Sequence, residues 1–166
     1  MDNVPALAAE IRRSVSGETW FGPSPLELLE GIDAAQARQH VEGAVHSIWQ
    51  LTSHLSVWAR YATYRFEGGV PRELDEENWP VPTNDDEHGW SQTREELVDA
   101  YERAAEALST LSVENLDTVD DLTPRDENGE PVTLRRVAAG LAQHAAYHAG
   151  QIAVIKQLEE SLAAPA

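Results

Sequence analysis

The chain has 166 residues, no cysteine, and 29 acidic against 12 basic side chains, a net charge of −17. That length suits a single domain spanning 1–166, able to bury roughly 70% of its unfolded surface without disulfides, and the missing thiols exclude thiolate metal sites, CxxC redox chemistry and a cysteine nucleophile. A field of this sign repels phosphate backbones and anionic lipid heads, so neither nucleic acid nor membrane is an expected partner and a small-molecule substrate is.

The start, MDNVPALAAEIRRS, has no basic segment followed by an apolar one, and no run of about 18 apolar residues occurs anywhere, so a cytoplasmic protein is expected. Apolar residues at three-and-four spacing predict a first helix over 4–16, ended by Gly17. Ser24, Pro25 and Glu27 then mark the cap and first turn of a short helix that Gly31 closes. A long helix follows from about Ala44 to Glu67, with Ile48, Leu51, Leu55, Trp58 and Ala62 on one side and Gly68-Gly69 as its stop.

Beyond it, GGVPRELDEENWPVPTNDDEHGW reads as an excursion over the surface. Residues 71–130 hold 19 of the acids and four arginines, a solvated face or a weak attractor of cations. Ser91 is expected to cap a third long helix whose stripe is Leu97, Tyr101, Ala104, Ala105, Leu108 and Leu111. Asn128-Gly129 signals a tight turn that can close a small hairpin, and Thr133 caps a last helix running to about Leu162. The sum is an all-α fold, an up-down four-helix bundle with long connections.

In that last helix, HAAYHAGQ places His144 and His148 four residues apart. They lie about 40° apart around the axis and roughly 6 Å along it, so both rings can reach one metal ion. With six histidines in the chain such a pair also arises by chance. Two unpaired imidazoles on a core-facing stripe would cost about 1–3 kcal/mol each, which a divalent ion would offset. His54 shares an inward face of the second long helix with Leu51, Trp58 and Tyr61, which makes it a candidate third ligand. Three imidazoles leave coordination positions open, as reactive sites require. Ligation needs neutral rings, so metal loss is expected as pH falls below about 6.

HSIWQLTSHLSVW at 46–58, HAAYHAGQI at 144–152, WFGPSPLELL and the Trp-Pro of the long connection together resemble the DinB-like superfamily of bacterial proteins. The resemblance implies a four-helix bundle, often a homodimer, with His54, His144 and His148 holding nickel, zinc or a related ion; iron and cobalt also suit such a donor set. It further implies transfer of a low-molecular-weight thiol to a small electrophile. Metal-dependent hydrolysis and a non-catalytic metal-binding role in stress response remain the alternatives.

Ala145 stands where a metalloprotease of the H-E-x-x-H type has its glutamate, and no long helix offers the Glu-x-x-His pairs of a di-iron bundle. Trp58, Tyr147 and Gln151 are candidates for lining the pocket and holding a cofactor or thiol, against core packing or solvation as the plain reading. Gln50 and Gln151 can each orient a ligand imidazole. His46 suits a buried, capping or pocket position, and His40 and His88 the surface.

Overall fold

The computed structural model describes residues 3–20, 22–69, 78–80, 82, 84–119 and 123–163. Among them are four long helices, α1 (Val4–Ser16), α4 (Ile48–Phe66), α5 (Glu87–Ser109) and α7 (Leu134–Ala163). Three short ones join them: α2 (Pro25–Leu28), α3 (Ala34–Arg38) and α6 (Val113–Leu116). The all-α bundle expected from the three-and-four spacing is the fold.

α1 packs on α5 and α7, and α4 packs on the same two helices, so α1 and α4 occupy opposite corners. α4 and α5 run in the same direction. Trp49 meets Trp90 near their starts at a ring distance of 5.2 Å, Arg60 pairs with Glu96 further along, and Phe66 and Leu111 line one cleft near their ends. α7 runs against α4, since Leu134 shares that end cleft while Gln151 shares another with His46. Alternation of direction thus holds between α4 and α7 but not between α4 and α5. Residues 67–86 make this possible, because α4 is about 28 Å long and only a long connection returns the chain to the same end.

Leu7 and Ile11 of α1, Leu51 and Leu55 of α4, Leu97 and Leu108 of α5, and Leu141 and Ile152 of α7 meet in one buried core. A forked ion pair, Arg12 to Glu102 at 2.7–2.9 Å, ties α1 to α5 at the surface.

Local caps set the boundaries and move two of them from their expected places. Ser47 Oγ accepts from the Gln50 N–H while Gln50 Oε1 accepts from the Ser47 N–H, a capping box that starts α4 at Ile48 and not at Ala44. His46 therefore lies outside the helix. α5 starts at Glu87, four residues before Ser91, because Asp86 accepts from the Gly89 N–H at 3.0 Å. His88 accordingly lies exposed in a first turn and not in a loop.

Thr133 does cap α7, accepting from the Arg136 N–H at 3.3 Å. The turn at Asn128-Gly129 is present, with Gly129 at φ 80°, but the strands beside it shrink to a single bridge between Arg125 and Pro131. α3, with its Asp33/Gln36 capping box, and α6 are additional to the expected elements. Most of the expected surface excursion, residues 70–77 with 81 and 83, lies outside the described residues. No helix among the described residues is long and apolar enough to cross a membrane.

Candidate metal centre

α4 and α7 supply the site because each carries histidine on the stripe it buries. His54 and His148 are each 4% exposed, and His144 is half-buried between them. The antiparallel pairing of the two helices brings His54 opposite the His144/His148 turn. His54 Nε2 lies 3.1 Å from His144 Nε2, and His148 Nε2 lies 2.9 Å from the same atom. One ligand nitrogen from each ring falls within 4.8 Å of the other two.

The far nitrogens fix which atoms face this point. His54 Nδ1 is 2.7 Å from the backbone oxygen of Asn78, which can only accept, so Nδ1 carries the proton. His148 Nδ1–H donates to Gln151 Oε1 at 2.6 Å, and the amide is held in turn by Nε2–H donation to Tyr147 Oη at 3.2 Å. Both rings thus present an Nε2 lone pair to His144 Nε2. His144 can donate one hydrogen there and satisfy one of them. Its own Nδ1 is buried with no hydrogen-bond partner. A cluster with more lone pairs than protons suits a cation, and second nitrogens anchored to carbonyl oxygens are the usual support of ligating imidazoles.

Burial keeps the rings neutral. Desolvation lowers His144 to about 3, helped by the neighbouring His148 and His54, and lowers His148 to about 4 against the opposing effect of its hydrogen bond to Gln151. His54 is lowered too, chiefly by burial, with the Asn78 hydrogen bond working the other way. Proton competition therefore begins well below the expected pH 6, because burial disfavours the charged rings.

Two residues of the long connection, Asn78 and Trp79, complete the surroundings, so this part is a packing element and not a surface excursion. The Trp79 indole lies between two imidazoles, 3.5 Å from the His46 ring and 3.8 Å from the His54 ring, within 8° of parallel to each. Asn78 Oδ1 accepts from Trp58 Nε1–H at 3.0 Å. The signal in the sequence is a Trp-Pro pair stranded among acids and amides, where a large apolar ring has no reason to stand unless it packs.

Of the other candidates, Trp58 is half-buried with its ring 5.4 Å from His144. Tyr147 is 63% exposed, its ring 4.9 Å from His148. His46, Tyr147, Gln151, Leu51, Gly150 and Val154 line a cleft of about 410 Å³ that adjoins the centre through Gln151 and Tyr147. Gln50 is occupied by its capping box and plays no part. His40 and His88 are exposed.

An all-α bundle with three inward imidazoles, two from one helix and one from its antiparallel neighbour, defines a class of helical protein with a histidine site able to bind a metal ion. Within that class the chain belongs to the DinB superfamily, whose family model matches residues 25–152, a span containing all three histidines. Searches of curated proteins and of solved structures found no match.

Proposed function

We propose that His54, His144 and His148 hold one divalent ion, nickel or zinc before iron or cobalt, and that the protein transfers a low-molecular-weight thiol to a small electrophile. The observation that carries the first half is the convergence of three neutral imidazole nitrogens with two of their far nitrogens already anchored. Such an ion supplies Lewis acidity, lowering the pKa of a thiol that reaches it. The chain's own residues do the rest. Gln151 and the Asn78 carbonyl hold the His148 and His54 tautomers, while Trp58 and Trp79 screen the rings from water. The cleft beside Tyr147 and Gln151 gives a small molecule access from one side. No cysteine is present, so the sulfur nucleophile arrives with the co-substrate.

The test is thiol consumption by metal-loaded protein in the presence of an electrophile, across several bacterial thiols. Wild-type turnover abolished by His148→Ala supports the reading. Ester or amide hydrolysis without thiol would replace it with a hydrolase, and a stoichiometric metal with inertness in both assays would leave a binding protein.

The same proposal extends to a homodimer. Tyr147, Val154, Leu158 and Leu162 are 41–71% exposed along one stripe of α7, with Val45 82% exposed beside the cleft. A second copy of this chain would cover such a stripe.

A further inference from the structure

At the opposite pole of the bundle from His46 and Gln151, α4 buries a guanidinium two of whose nitrogens have no hydrogen-bond partner. Arg65 is 7% exposed, and its Nε and Nη1 are both fully covered with no hydrogen-bond partner. The side chain sits in the last turn of α4, where the helix dipole favours a cation, but no carbonyl oxygen hydrogen-bonds to those two atoms. A charge left this way is among the costliest arrangements a fold can keep, and removing one partner of a buried pair produces the same state.

Arg65 lines a cleft of about 320 Å³ between the ends of α4 and α5 and the start of α7. The polar side chains around it are Asn115, Thr118, Thr123 and Thr133, and no carboxylate lines it among the described residues. Thr133 and Leu134 also lie on its wall, so the N-terminus of the 30-residue α7, with its partial positive charge, opens onto the same space.

We infer that this cleft binds a small oxyanion, the phosphate or carboxylate group of a small molecule, with Arg65 as its counter-ion. Guanidinium recognises both groups through paired N–H donors, and hydroxyl and amide side chains supply further hydrogen bonds. The site is separate from the metal centre. Arg65 is eleven residues beyond His54 on α4, about 16 Å along the helix, and binding requires no metal.

The experiment is thermal unfolding of metal-free protein titrated separately with phosphate and acetate, against chloride at matched ionic strength, for wild type, Arg65→Met and Arg65→Lys. The wild type should show a saturable rise in midpoint with phosphate, acetate or both, and which one responds identifies the group. Arg65→Met, which keeps the apolar stem, should abolish the rise and match or exceed the wild-type midpoint in chloride. Arg65→Lys, which keeps the charge and loses the planar fork, should weaken half-saturation by about tenfold, and it answers the question if the Met variant does not fold. A wild type that responds to neither anion beyond chloride, or variants that respond as the wild type does, would overturn the inference.

Discussion

A buried ring nitrogen without a partner costs roughly 1–3 kcal/mol, and His144 Nδ1 is one. Separately, His144 Nε2 can donate at most one hydrogen to the two Nε2 lone pairs that face it at 2.9 and 3.1 Å, so one is left unmatched in the protein alone and the convergence suits a cation. Gln151 is what aims His148. Gln151→Leu removes its acceptor and should weaken metal binding by about 10- to 100-fold, read by competition with a chromophoric chelator; unchanged affinity would show that the amide aims nothing. Protonation carries the same logic into stability. His144 and His148 have folded pKa values near 3 and 4, below an unfolded value of about 6.5. Between those limits the unfolded chain takes up protons that the folded protein refuses. Stability is then fully present above about pH 6.5 and declines as pH falls toward 4. Urea midpoints of the metal-free protein should drop between pH 7 and 5, and a His144→Leu variant should drop less; a flat wild-type profile would contradict the burial described.

Among the elements, caps decide where the site's parts can stand. The Ser47/Gln50 box ends the irregular segment after Gly43 and leaves His46 outside α4, where it stacks on Trp79. Ser47→Ala should cost about 1 kcal/mol in urea unfolding. Gly89 has a sharper constraint. A Cβ there would lie 2.2 Å from the Asn84 carbonyl oxygen, so Gly89→Ala must push the segment before α5 away and should cost about 1–3 kcal/mol. A neutral Gly89→Ala would mean that Asn84 yields easily. The long helices were legible because burial imposes a period of 3.6, and His54, His144 and His148 lay on those buried stripes. The α4 and α5 starts were not, because an acid or serine at several nearby positions can cap equally well and only the tertiary neighbours choose. For Asn78 and Trp79 the Trp-Pro pair signals that the segment packs but not what it packs on. Their contact with His54 spans more than twenty residues of aperiodic chain, and no local pattern encodes it.

On the scale of the molecule, the bundle places the histidine cluster and the Arg65 cleft at opposite poles of α4. One is a cluster of neutral imidazoles beside an apolar stripe, and the other is a buried guanidinium in a cleft with no carboxylate among its described lining residues. If the stripe is a homodimer face, Val154→Glu should convert a dimer to a monomer in sedimentation analysis while leaving helix content unchanged; a wild-type monomer would contradict that assembly. The parallel course of α4 and α5 requires a long connection between them, and two of its residues, Asn78 and Trp79, meet His54. The decisive measurement is elemental analysis of the purified protein beside His54→Ala, His144→Ala and His148→Ala, each checked for retained helix content. One equivalent of a divalent transition metal per chain in the wild type, lost in every variant, is the expected result. A wild type that takes up no metal when offered nickel or zinc, or variants that keep a full equivalent, would contradict a centre built from these three rings.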